Sequence, residues 1–218
     1  MKKTNKITAF SLAEVLLTLI IIGTISTLTI QTLKNHSDET KYIASVQKAM
    51  AQISAATINI EAIHGDASLW NFSSNDTKTW YKNALNIIPF PNNKDIWTRS
   101  NMDASKTSST KYNFMTADGM AWIINTGSYK CGGGVALVDV NGINGPNVIG
   151  IDQHGFRLGH LCGGENDTTK LGEFGIYALG DGLNDNDATW ACTAYIIKNK
   201  KMPWLYNPST SCAEYQGK

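Results

Sequence analysis

The sequence predicts an α+β chain: a long N-terminal α-helix, half apolar and half amphipathic, packed on a small antiparallel β-sheet head. Three observations carry that expectation. Residues 10–30 form an apolar run whose only charged member is Glu14. Residues 32–63 contain neither Pro nor Gly and carry apolar positions at helical spacing. After residue 110 come short β-prone runs joined by tight turns.

The chain has 218 residues, enough for one ordinary domain plus an anchor. Its 19 Lys and Arg against 18 Asp and Glu give a net charge of +1, so no overall field draws it to a nucleic acid. Charged residues make up 17% of the chain, below the usual share of about a quarter. Asn, Thr, Ser and Gly take their place, as on an exported surface.

The apolar run comes first. At about 1.5 Å per residue it makes roughly 30 Å of helix, the thickness of a bilayer's hydrocarbon core. Lys2, Lys3 and Lys6 precede it, while Lys34 stands alone in the ten positions after it. That asymmetry keeps the N-terminus cytoplasmic and exports the remainder. A carboxylate inside such a span costs on the order of 3 kcal/mol, which makes Glu14 a functional residue by default. A cleaved secretory signal would have to use Ser26 and Thr27 as its small-residue site, with no A-x-A pattern and with Glu14 badly placed. A plain signal anchor explains span and orientation and leaves Glu14 unexplained.

A third reading accounts for all of it. The stretch KITAFSLAEVLLTLIIIG, residues 6–23, resembles the leader and N-terminal helix of type IV prepilins and of type II secretion pseudopilins. The resemblance implies that a prepilin peptidase cuts between Ala9 and Phe10 on the cytoplasmic side. Phe10 then becomes N-methylated, and Glu14, at the fifth mature position, meets the amine of Phe10 on a neighbouring subunit. Two positions depart from the family pattern: Ala9 stands where Gly is more usual, and Gln31 where a helix-loosening Pro is frequent. The implied organisation is a removed leader (1–9), a transmembrane helix half (10–30), an amphipathic half (31–64) and a periplasmic or extracellular head (65–218), a pilin-like fold.

The implied function is a structural subunit, not an enzyme. It enters the bacterial inner membrane as a single span and polymerises through its helix, with itself and with other pilin-like subunits, into a type IV pilus or a type II secretion pseudopilus. Its implied partners are prepilin peptidase, the inner-membrane assembly machinery and membrane lipid. Major pilin, minor pilin and pseudopilin all share these features.

Beyond the span, Ile43, Val46, Met50, Ile53, Thr57 and Ile60 fall on one helical stripe. A coiled coil would show a similar stripe, but Thr57 at a core position favours packing on the following domain. Gly65 is the expected helix stop. Residues 66–110 are rich in loop formers, with aromatic pins at Trp70, Trp80, Tyr81 and Trp97 and a short helix in TWYKNALNII. Residues 111–116 and 120–126 read as strands flanking a turn at Ala117, Asp118 and Gly119. Residues 134–140 and 155–161 are the third and fourth strands, paired antiparallel through short connections. Residues 189–200 fit a helix or a strand; as a helix, Trp190, Thr193 and Ile197 share a face and Cys192 lies off it. The tail containing Pro203 and Pro208 is a loop for Cys212 to staple.

The cysteines, Cys131, Cys162, Cys192 and Cys212, all follow the span, and their even number suggests two disulfides in an oxidising compartment. Three connectivities are open. The favoured one joins 131 to 162 and 192 to 212, each closing a loop of about 20–30 residues. Zinc is disfavoured, since no C-x-x-C spacing occurs and His154 and His160 are poorly placed to complete a site.

Two loops gather oxygen ligands of the kind calcium takes. The first carries Asp139, Asn141, Asn147 and Asp152; the weaker second carries Asp181, Asp185 and Asp187. Neither has EF-hand spacing, and a turn needing Asn and Gly only for backbone angles would look the same. The family resemblance adds weight, because some pseudopilins and minor pilins bind calcium in a loop of the head. No nucleophile elbow, P-loop, H-E-x-x-H or dinucleotide fingerprint occurs, and His154 and His160 are expected as surface or turn residues. The competing reading is an exported, disulfide-bonded binding module, an adhesin or lectin-like head, membrane-anchored or secreted behind a conventional signal.

Overall fold

A computed structural model describes residues 11–72, 74–88, 114–125, 133–142, 144–162, 171–179, 191–206 and Glu214. Ala9, Phe10, Trp97, Cys131, Asp181, Asp185, Asp187, Trp190 and Cys212 lie outside the described residues, as do the side chains of His160 and Cys162.

Helix α1 runs unbroken over Leu12–His64. It ends where expected: Gly65 takes φ 83 and its N–H donates to Glu61 O at 2.9 Å, a left-handed stop that a residue with a Cβ would resist. The chain divides into two compact units, residues 1–38 and 39–218. The boundary thus falls eight residues beyond the end of the expected transmembrane half, inside α1.

In the first unit every large apolar side chain from Leu12 to Leu33 is exposed. The stretch is long and apolar enough to cross a membrane. Four of its threonine hydroxyls are satisfied within the helix. Thr18, Thr24 and Thr27 donate to the carbonyls of Val15, Ile21 and Thr24 at 2.8–2.9 Å, and Thr29 to that of Ile25 at 2.8 Å. A hydroxyl bonded one turn back presents no unmet donor to hydrocarbon.

In the second unit the remainder of α1 lines the core. Val46, Ala49, Ile53, Ala56, Thr57 and Ile60 are buried, and Ile43 and Met50 pack partly buried against them. The predicted stripe is therefore the seam between helix and head, with the buried Ala49 and Ala56 added to it.

A six-stranded sheet faces that seam. Its strands are β1 (Ile87–Ile88), β2 (Phe114–Thr116), β3 (Ala121–Asn125), β4 (Gly134–Asp139), β5 (Gln153–Cys162) and β6 (Leu171–Ala178), in sequential order. Every neighbouring pair is antiparallel. Alternation sends Trp122, Ile124, Ala136, Val138, Phe156 and Leu158 into the main core with α1. Ala121, Ile123, Val135 and Leu179 form a smaller cluster of their own.

Helix α2 (Asn75–Ala84) supplies the buried Tyr81, and with Trp70, Phe72, Trp80 and Phe174 it forms an aromatic group whose rings lie 5.7–6.4 Å apart around Trp70. Residues 191–199 resolve as helix: α3 (Ala191–Asn199) buries Cys192, Thr193 and Ile196. Cys192 lies in the core, not off the helical face as expected, and it is disulfide-bonded.

Candidate functional site

The N-terminus of α1 is built from Ser11 and Glu14. The backbone N–H of Ser11 donates to Glu14 Oε2 at 2.8 Å, and its hydroxyl donates to the same oxygen at 2.9 Å. In return the N–H of Glu14 donates to Ser11 Oγ at 3.2 Å. This is a capping box, with Ser11 as N-cap and Glu14 three residues on. The lone carboxylate of the apolar run thus meets two donors at the first turn, which stabilises the helix start. The sequence signal for it is Ser-x-x-Glu before an apolar run, a helix-start signature independent of any intramembrane role of Glu14.

In the head, Asp139, Asn141, Asn147 and Asp152 do come together. Asp139 and Asp152 are fully buried. The carboxylate of Asp152 accepts the N–H of Val148 at 2.7 Å, the N–H of Asn147 at 2.8 Å and the side-chain amide of Asn141 at 3.0 Å. Asp139 accepts the N–H of Asn141 at 3.2 Å and the Gln153 amide at 3.3 Å. The amide of Asn147 has its nitrogen inward, donating to Asp139 Oδ2 at 3.0 Å and Asn144 O at 3.2 Å, because its oxygen would face only acceptors. Burial pushes the Asp152 carboxyl up, and the donors of Val148, Asn147 and Asn141 offset part of that rise.

These residues do not fit a calcium ion. Calcium needs six to eight oxygens aimed at one point, whereas here N–H groups are aimed at the carboxylates and Asn141 offers Asp152 its nitrogen. Two buried acceptors, Asn141 Oδ1 and Gln153 Oε1, are left without a partner among the described residues, well short of a coordination shell. The loop is held closed by its own amides. Its backbone fits that role: Asn147 takes φ 53 and Gly142 φ 70, and a Cβ on Gly142 would stand 2.2 Å from Gly119 O, so the loop seats directly on the β2–β3 turn.

His154 is fully buried, contrary to the expectation of a surface or turn residue. Burial pushes its pKa down to about 4, against the opposing pull of its bond to Ile151 O at 3.1 Å. The ring is neutral at pH 7 and closed to solvent, a core histidine.

One polar feature had no sequence signal at all. Glu39 Oε1 accepts the backbone N–H of Met202 at 2.7 Å, and Glu39 Oε2 accepts the hydroxyl of Tyr206. Trp204 donates its indole N–H to Gly150 O at 2.8 Å and sets its ring 5.6 Å from Tyr195. The C-terminal segment is thereby clasped to α1 on one side and to the Asp152 loop on the other. No spacing rule links a glutamate to a backbone N–H more than 160 residues away.

No protein-family model, curated protein or solved structure matches the chain.

Proposed function

We propose that the chain is a structural subunit of the pilin or pseudopilin kind, anchored in the bacterial inner membrane by residues 10–30 and assembled into a filament through α1. The observation that carries this reading is a helix exposed on all its apolar sides in residues 12–33, with one carboxylate at its first turn, whose continuation forms the core seam of a small antiparallel head. A surface of that kind is stable only against lipid or against further copies of itself.

In this reading prepilin peptidase removes residues 1–9 and frees the amine of Phe10. Both Ser11 donors bind the same oxygen of Glu14, so the carboxylate has a lone pair for a cation supplied by the next subunit. Pairing with the Phe10 amine removes two charges from an apolar surroundings at once and sets the axial step between subunits. The head stays on the exported side, where the disulfide of Cys192 persists.

Mass spectrometry of the mature N-terminus tests the proposal. N-methylated Phe10 supports it; a chain that begins near Thr27, or that retains Met1, overturns it in favour of an exported binding module behind a conventional signal.

A further inference from the structure

The chain's near-zero net charge conceals a local excess. Between Asp187 and Glu214 there is no carboxylate, and Lys198, Lys200 and Lys201 stand within four residues of one another. Elsewhere in the head, acidic residues outnumber basic ones. The three lysines occupy the end of α3 and the turn after it. Lys200 takes φ 54 while its N–H closes on Ile196 O at 2.9 Å, and the chain then re-enters the core at the fully buried Met202. All three lysine side chains are exposed.

The position of this turn is set by Glu39. Its two oxygens face inward onto the Met202 N–H and the Tyr206 hydroxyl, so the Glu39 carboxylate is turned toward the clasp. Lys200 and Lys201 make no ion pair among the described residues. The turn is also rigid, because Trp204 anchors it to Gly150 O at 2.8 Å.

Glu39 follows Leu33, the last large exposed apolar residue of the span, by six residues. That tether is at most about 20 Å whatever its conformation, and a lysine side chain adds several ångströms of reach. The headgroup layer outside the hydrocarbon core lies within that distance. Tyr206, 43% exposed beside the lysines, is a residue type enriched at that level.

We propose that residues 198–206, clasped by Glu39, form a basic collar that binds the phosphate headgroups of anionic phospholipids. It seats the head on the exported leaflet while the subunit waits in the membrane. The proposal rests on the reading that residues 12–33 span the bilayer.

The test uses the full-length chain in nanodiscs of phosphatidylcholine alone and with about 30% phosphatidylglycerol. Amine acetylation rates are read by mass spectrometry, with Lys82 on α2 as internal reference. Lys200 and Lys201 are expected to label about fivefold more slowly in the anionic discs, since each lysine near such a surface gains about a factor of that size. The protection is expected to vanish at about 0.5 M salt, where the Debye length falls to a few ångströms. Lys201→Glu, which leaves the left-handed Lys200 backbone in place, is expected to bring Lys200 labelling in anionic discs to within about twofold of the neutral-disc rate. Equal rates in the two discs, with the chain incorporated in both, overturn the collar and leave the anchor intact. A chain that does not incorporate overturns both.

Discussion

The hydroxyl of Thr57 meets the phenol of Tyr81 at 2.8 Å in the interior of the head. Thr57 in turn donates to Ile53 O at 2.9 Å, so the order of donation runs from Tyr81 to Thr57 to the helix backbone. Burial pushes the Tyr81 phenol well above its usual range, opposed by the Thr57 hydrogen bond. The polar residue in the apolar stripe of α1 is thus the acceptor that lets a tyrosine of α2 enter the core.

Thr57→Val is expected to cost about 1–3 kcal/mol, because it strands a buried phenol, and Tyr81→Phe about 1 kcal/mol, because Thr57 keeps its backbone partner. The double variant should cost less than the sum of the two, since it removes both polar groups. Urea unfolding of the three variants checks this, and strictly additive losses would show that the two hydroxyls are not coupled.

Asp118, at the β2–β3 turn, binds the head to α1 through Lys48 at 2.8 Å and Gln52 at 2.7 Å, with Thr116 donating at 2.6 Å. Burial would raise its carboxyl, but the hydrogen bonds from Lys48, Thr116 and Gln52 outweigh it and hold the pKa at about 2. A depressed carboxyl contributes stability above the unfolded pKa of about 4 and loses it as pH falls through about 2. Asp118→Asn is therefore expected to lower stability by at most about 1 kcal/mol at pH 7, given solvent screening of the pair. The difference should fade between pH 4 and 2 and shrink in high salt. A gap between variant and parent that stays constant to pH 2 would assign the loss to packing instead.

Much of the scaffold was legible from pattern alone. The helix through the apolar run follows from its composition, the helix stop from Gly65 and the stripe from Val46 to Ile60 from periodicity, and β2 to β5 follow from β-prone runs beside turn residues. Strand β6 was not legible, because Gly172, Glu173 and Gly175 interrupt its alternation; its membership comes from pairing with β5, as in Leu158 with Ile176. β1 is two residues at the end of a helical stretch and is defined only by its partner β2. At the sites, residue type announced which side chains would gather but not which atom each would present. Asn141 offers a nitrogen to Asp152, and that single orientation changes the chemistry of the loop. Charge counting over the whole chain likewise hid the lysine turn, whose meaning depends on where Glu39 places it.

The Asp152 loop makes a prediction about metal. Millimolar calcium and excess chelator are expected to give the same melting temperature within about 1 °C. An ion held at a hundred times its Kd would instead raise it by about 5–10 °C for a chain of this size, and a rise of that order would overturn the self-closed loop. Asp152→Ala, by contrast, leaves three N–H donors without an acceptor and is expected to cost about 3 kcal/mol.

Glu14 has two separable tasks, and substitution can tell them apart. Glu14→Gln keeps a side-chain acceptor for the Ser11 donors and removes the charge, while Glu14→Ala removes both. Ser11→Ala weakens the cap by about 1 kcal/mol and leaves the carboxylate. If assembly depends on the carboxylate meeting an amine, both Glu14 variants should insert in the membrane yet lower the filament yield at least about tenfold, since a buried charge loses its partner. Ser11→Ala should assemble near normally. Sheared-filament yield, set against membrane-fraction subunit, checks all three. Normal filaments from Glu14→Gln together with none from Glu14→Ala would make Glu14 a helix cap and no more.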